Sequence, residues 1–284
     1  MKKSIKTCAL AVAFGMLLAG CGVSNNEVSE KIPSVSSSVT QTKDSGSDKQ
    51  SNPVSFGDLF GKKQDYKDAN VGDTIKFGHY EQDNDTAYGA EEIEWLVLAK
   101  EDDKMLVISQ YGLDCLPYNT KYESVTWETC TLRSWMNDSF YNTAFSGEEQ
   151  EKIVPVTNEN PDSHAFFASE YNLEHLGNGI YIYYPELHGA PGGNATSDKI
   201  FCLSYEEALT YFESDEARKC TLTEYAKAQN PEASHASSRC RWWLRSSGAD
   251  EYCAIEVRSN GWLDDEASDQ IDHAVRPVLW ISVK

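Results

Sequence analysis

An uncharged stretch from Thr7 to Gly20 follows the cations Lys2, Lys3 and Lys6 and ends in small residues before Cys21. It is shorter than the roughly 20 apolar residues that span a bilayer, and it has the flanking charge and small-residue exit of a signal-peptide core. Residues 1–20 are therefore expected to contribute nothing to a folded domain. From Cys21 to about Lys67 the chain is dominated by Ser, Lys, Asp, Asn and Gln, as in Pro33-Ser34-Val35-Ser36-Ser37-Ser38-Val39-Thr40. Such a stretch buries too little apolar surface to offset its ordering entropy and reads as a flexible linker, 21–67. Whatever folds must come from residues 68–284.

Leu18-Ala19-Gly20-Cys21 resembles the lipobox at which bacteria attach diacylglycerol to a cysteine and cleave before it. The resemblance makes Cys21 the lipidation site and the mature N-terminus. It implies a lipoprotein on the extracytoplasmic face of the cell membrane, held by its acyl chains, since two such signals anchor stably where one chain binds marginally.

The remaining length suffices for one domain with a sizeable core, and 11% aromatic residues can fill it. The chain carries 25 Lys+Arg against 45 Asp+Glu, and losing Lys2, Lys3 and Lys6 with the signal leaves 22 against 45. That balance repels phosphate backbones, so nucleic acid is excluded as an expected partner. Six cysteines remain in the domain: Cys115, Cys130, Cys202, Cys220, Cys240 and Cys253. An even number in an exported chain favours disulfides, with Cys115–Cys130, Cys220–Cys240 and Cys202–Cys253 the expected pairs, and none has zinc-site spacing.

Val71–Gly78 reads as a turn feeding a short strand, and Ile93–Leu98 and Met105–Ser109 read as two more strands joined by the polar turn Asp102-Asp103-Lys104. Leu132, Trp135, Met136 and Phe140 lie on one helical face. Ser146 with Glu149, Ser204 with Glu207, and Thr221 with Glu224 look like capping devices opening helices. Ile200–Leu203, Trp242–Arg245, Cys253–Val257 and Val278–Ile281 read as further strands. Strands at both ends with helices and long loops between predict an α+β single domain of mixed or antiparallel sheet with short helices, its terminal strands in one sheet.

Ile93-Glu94-Trp95-Leu96-Val97-Leu98, Trp127–Asn137, Ile200–Ser204, Trp242–Ser246 and Val275-Arg276-Pro277-Val278-Leu279-Trp280 resemble successive blocks of a family known only as domain of unknown function 6273. The chain departs from it with Ser247 where the family usually shows Pro, and with a longer insert around Gly179–Gly193. In motif order such domains are similar to the C-type-lectin-like and formylglycine-generating-enzyme-like fold. That resemblance implies a fold and no particular ligand or reaction.

Asp264, Asp265, Glu266, Asp269 and Asp272 place five carboxylates on what reads as one loop. A solvated acidic loop is the economical reading, and no cofactor is expected. If a cation binds, calcium is the ion that Asp264, Glu266 and Asp269 would take. Trp262 and Tyr252, with Trp242 and Trp243, could offer flat apolar faces to a sugar ring. Adjacent strand residues face opposite ways, so one of Trp242 and Trp243 is expected in the core and the other could be free. Arg133, Arg245 and Arg276 sit in apolar motifs and need carboxylate or carbonyl partners, a structural role before a catalytic one. Gly-x-Ser-x-Gly, His-Glu-x-x-His and phosphate-loop patterns are absent from the sequence, and a nucleophilic Cys240 beside His235 is outweighed by disulfide pairing.

The expected function is a non-catalytic binding domain at the cell surface, with carbohydrate or cell-wall fragments as the ligand. An envelope enzyme, either a hydrolase or a formylglycine-type oxidase relative, and a structural envelope protein are the alternatives. The ligand is expected on the loops from Ser246 to Asp272, with Trp262, Tyr252, Asp264, Asp265 and Arg245 as its contacts. Replacing Cys21 with Ala is expected to release the protein from membranes or leave it unprocessed. Equal incorporation of labelled palmitate by wild type and Cys21→Ala would end the lipoprotein reading.

Overall fold

The computed structural model describes residues 66–169, 171, 174, 188–233 and 239–284, all within one compact unit, Gly57–Lys284. Cys21, His175 and His235 lie outside the described residues. The strands are β1 (Thr74–Tyr80), β2 (Glu91–Lys100), β3 (Lys104–Ser109), β4 (Asp114–Cys115), β5 (Ile153–Val154), β6 (Val156–Asn158), β7 (Thr196–Asp198), β8 (Cys220–Thr221), β9 (Arg239–Ser247), β10 (Cys253–Val257), β11 (Leu263–Ala267), β12 (His273–Val275) and β13 (Val278–Ser282). The helices used below are α1 (Thr131–Trp135), which runs through a π turn, Met136–Phe140, into α2 (Tyr141–Ala144), then α3 (Gly147–Gln150), α4 (His164–Phe167), α5 (Tyr205–Tyr211), α6 (Asp215–Arg218) and α7 (Glu224–Gln229).

The first sheet is antiparallel in the order β1-β2-β3-β13-β5, so the terminal strands share one sheet, as expected. The second is mixed, in the order β11-β10-β9-β12-β4, with β12 parallel to β9 and β8 on the side of β9. Both sheets bury one continuous core whose largest fully buried members are Trp95, Trp127, Trp242 and Trp243. Gly78 marks a register shift in β1 at φ +70°, and a Cβ there would lie 2.5 Å from the Phe145 ring. Glycine thus permits both the positive φ and the approach of the helix end.

The capping boxes at Ser146/Glu149 and Ser204/Glu207 form as the sequence indicates. The cap of α7 is Thr223, two residues beyond the expected Thr221, which is taken up by β8. Ile200–Leu203 is a connector and not a strand. Phe201 exchanges backbone hydrogen bonds with Val278 of the first sheet (2.8 and 3.0 Å), while the Leu203 carbonyl accepts from Arg245 N of the second (2.8 Å). Serving two sheets in turn, the segment builds a ladder with neither.

All six domain cysteines are thiols, which corrects the expected disulfides. Cys130 caps α1 by accepting from Arg133 N (3.4 Å), while Cys115 lies on β4, paired with Ala274. Cys202 is fully buried, and Cys253 pairs with Ala267 at the far end of β10. Cys220 and Cys240 alone among the expected pairs face each other, across β8 and β9. Five of the six are buried, and a buried thiol packs as a small apolar group without a bridge.

The connectors are tied to the helices through one carboxylate. Asp198, its side chain 0% exposed, accepts from Arg133 Nε (2.6 Å), Trp127 Nε1 (3.0 Å), Asn158 Nδ2 (2.8 Å) and Thr196 Oγ1 (2.7 Å). Asn137 adds a second bolt, donating to Ile200 O (2.8 Å) and accepting from Lys199 N (2.9 Å). Removing one partner of a buried ion pair leaves the other charge stranded. Asp198→Ala is expected to lower the unfolding free energy by about 3–5 kcal/mol, read from urea titration; an unchanged midpoint would show that the pair carries no stability.

Candidate functional site

The stretch singled out in the sequence does not form an open acidic loop. Asp264, Asp265 and Glu266 lie on β11, where side chains alternate between faces. Asp264 pairs with Arg258 (2.9 Å) and Glu266 with Arg241 (3.1 Å), so on this face the carboxylate oxygens meet guanidinium groups. Asp265, on the other face, accepts from Ala249 N (2.9 Å). Burial raises the Asp264 pKa, with Arg258 pulling the other way. Asp269 follows the strand in the turn toward Asp272.

Nor do the aromatic residues form one platform. Tyr252 stands at the open end of the β10–β11 hairpin, stacked on Tyr122 (5.2 Å, 26°), and Trp262 stands in its turn. Five paired residues lie between them, about 20 Å at the rise of a strand. Trp242 and Trp243 are both fully buried, so neither is the free ring that one of them could have been. Trp242 lies beneath the Arg276 guanidinium (5.0 Å), and Trp243 stacks on His273 (3.8 Å, 11°).

His273 is itself enclosed, at 0% exposure, between two carboxylates: Nε2 to Glu256 (2.7 Å) and Nδ1 to Asp272 (3.0 Å). Arg241 reaches the same Glu256 (3.3 Å). Burial works against a charged ring, but the hydrogen bonds and charges of Asp272 and Glu256 outweigh it and raise the His273 pKa above its ordinary 6.5. The hydrogen bond from His273 in turn lowers the Asp272 pKa. With both ring nitrogens facing acceptors, the imidazolium is the form that fits.

A concave surface lies elsewhere, in a groove of about 440 Å³ between β13, β6 and α5. Trp280, Tyr211 and Phe201 supply its rings, and Asn158, Glu207 and Lys104 its polar groups. Trp280 is half-buried because it alternates with core residues on β13, and Lys104 Nζ lies 4.3 Å from its ring centroid. Glu207 is fixed from below. It accepts Ser204 N (2.9 Å) in the capping box and meets Arg245 through two hydrogen bonds, one to Nη2 at 2.9 Å. Arg245, expected to touch ligand, is buried and also donates to Cys202 O (3.0 Å); it positions Glu207. The signal for Trp280 was present in the sequence: Trp280 and Ser282 share a strand face, and a polar neighbour two residues on marks the outward side.

A larger opening, about 650 Å³, adjoins the β1–β2 hairpin and is lined by Asp83, Glu91, Glu92, Glu94 and Glu224, with Lys76 paired to Glu92 (3.1 Å). Glu81, Asp83 and Glu91 bring oxygens within 4.8 Å of one another nearby. Glu91 Oε2 is already engaged by the backbone N–H groups of Gln82 (2.7 Å) and Asp83 (3.3 Å).

The His273 network makes a pH prediction. A group whose pKa is raised on folding contributes stability that is complete below its unfolded value, about 6.5, and is lost as pH rises through the higher folded value. Urea unfolding followed by Trp fluorescence from about pH 5 to pH 9 is expected to show stability falling above the unfolded value, and the fall is expected to be weaker in His273→Gln. Identical slopes in the two proteins would refute the assignment.

Among comparisons with known proteins, residues 102–283 match the family described as domain of unknown function (DUF6273). No curated protein and no solved structure matches the chain. The matched segment opens in the turn before β3 and takes in every residue lining the Trp280 groove, whereas β1 and β2 precede it. With well over half of its length matched, the chain belongs to the DUF6273 family.

Proposed function

We propose that this chain is a cell-surface lipoprotein, anchored through Cys21, whose domain binds a carbohydrate or cell-wall fragment in the Trp280 groove without transforming it. The C-type-lectin-like scaffold implied by motif order is part of the same reading. The observation that carries it is the pairing of half-buried rings, Trp280 and Tyr211, with a carboxylate held in place by Arg245 and Ser204. Flat apolar faces suit the C–H face of a sugar ring, while fixed polar groups at the margin receive its hydroxyls. A prearranged acceptor adds no ordering cost on binding.

The same geometry disfavours hydrolysis. Glycosidases work with two facing carboxyl groups, and Glu207 is the single carboxylate among the residues lining this groove, already committed to Arg245. An oxidase would need an accessible thiolate. Burial pushes the thiols of Cys115 and Cys130 up to about 12 and raises those of Cys202 and Cys253. Cys220 is lowered to about 7 by the hydrogen bond from Cys240 and then by Arg276, but it lies inside the sheet at 2% exposure.

A glycan array probed with detergent-solubilised full-length protein, with and without a calcium chelator, tests the proposal. Binding is expected to persist in chelator and to weaken at least about tenfold, or about 1.4 kcal/mol, in Trp280→Ala. Trp262→Ala is expected to bind as wild type, and melting temperatures should stay level. Retained affinity in Trp280→Ala, or no bound glycan at all, would overturn the reading.

A further inference from the structure

A third concavity, about 230 Å³, opens where the end of β1 meets the π turn after α1 and the start of α7. Four aromatic residues line it: Tyr80, Trp135, Phe140 and Tyr225. They come from β1, from α1 and its continuation through the π turn, and from α7, and hold one another in place. Tyr80 meets Phe140 (5.2 Å) and Tyr225 (5.7 Å, 88°) edge to face, and Trp135 stacks on Phe140 (5.3 Å, 27°). Tyr80 is locked further by its hydroxyl, which donates to buried Asp114 (2.7 Å). Trp135 and Tyr225 are half-buried, so their rings form walls that remain open to solvent.

Glu81 lines the same cavity. Its Oε1 is shielded from water and has no hydrogen-bond partner, and Asp83 and Glu91 bring oxygens within 4.8 Å of the group. Desolvation, then Glu91 and Asp83, raise the Glu81 pKa against a backbone hydrogen bond from Asp85 that lowers it. An aromatic ring attracts a cation over its face, most strongly when the cation carries little hydration shell. A primary ammonium brings three N–H donors to walls that consist largely of rings, with Glu81 the main acceptor. A quaternary ammonium brings none.

We propose that Tyr80, Trp135, Phe140 and Tyr225 with Glu81 form a cage for a quaternary or fully methylated ammonium group. The volume supports a headgroup-sized ligand, since pockets for drug-sized molecules run to roughly 300–1,000 Å³. The charge supports a cation: the mouth is acidic and the chain carries a formal net charge of −20. No residue lines both the cage and the Trp280 groove, and Tyr80, Glu81 and Ala90 precede the DUF6273 match.

The test is isothermal titration of the full-length, detergent-solubilised protein with tetramethylammonium, methylammonium and calcium as separate titrants, following Trp fluorescence in parallel. Tetramethylammonium is expected to bind at one site, at least about tenfold more tightly than methylammonium. Tyr225→Ala and Glu81→Gln are each expected to weaken it by about tenfold. Tyr225→Phe, which keeps the ring, should bind as wild type, and so should Trp280→Ala. Trp135→Ala serves as a further variant where its melting temperature matches wild type. The proposal fails if tetramethylammonium shows no saturable binding, if methylammonium or calcium binds as well or better, or if Tyr225→Ala binds like wild type.

Discussion

The carboxylate of Asp198 accepts four hydrogen bonds in a place closed to water, and the positions of β6, β7 and the helix from Thr131 follow from it. A buried charge is tolerated only when its lone pairs are met, so Arg133, Trp127, Asn158 and Thr196 must all arrive together. Trp127 and Arg133 belong to the Trp127–Asn137 block, while Asn158 and Thr196 come from distant connectors. One acidic residue thereby fixes segments that have little regular structure of their own. Asn158 also lines the Trp280 groove, so the constraint that closes the core also fixes one wall of that groove.

The three arginines in apolar blocks solve the same problem in different ways. Arg133 meets Asp198, and Arg245 meets Glu207. Arg276 has no carboxylate within ion-pair distance among the described residues. It donates to Ser109 O (2.9 Å) and lies over the rings of Trp242 and Phe212. A planar, weakly hydrated cation can be held by carbonyl oxygen and aromatic faces, which lysine could not imitate. On β10 and β11 the acidic excess is met in the same spirit: Glu256, Asp264 and Glu266 lie beside Arg241, Arg258 or His273, while Asp265 accepts from Ala249 N.

Local signals in the sequence carried far. The hairpin of β2 and β3, the caps at Ser146 and Ser204 and the sharing of one sheet by the first and last strands follow from alternation and turn chemistry. The failures have physical causes. Leu263–Ala267 reads as a loop because three acidic residues hide a strand; Arg258, just past β10, and Arg241, on β9, meet two of them and make that strand tolerable. Ile200–Leu203 has strand composition but divides its hydrogen bonds between two sheets, which no local pattern reports. Even cysteine number suggested bridges, yet a thiol also packs as a small apolar group. Trp262 and Tyr252 lie close in sequence, but the hairpin between them holds them at opposite ends. The cage of Tyr80, Trp135, Phe140 and Tyr225 draws on three distant segments and has no sequence signature.

The position of β13 bears on when the molecule can assemble. It lies between β3 and β5 and bonds to both, so the hairpins begun at Thr74 lack a neighbour on one side until Val278–Ser282 is present. Closing that distance in sequence is entropically costly and slow, and no early segment substitutes for it. The chain is therefore a poor candidate for folding piece by piece as it is made.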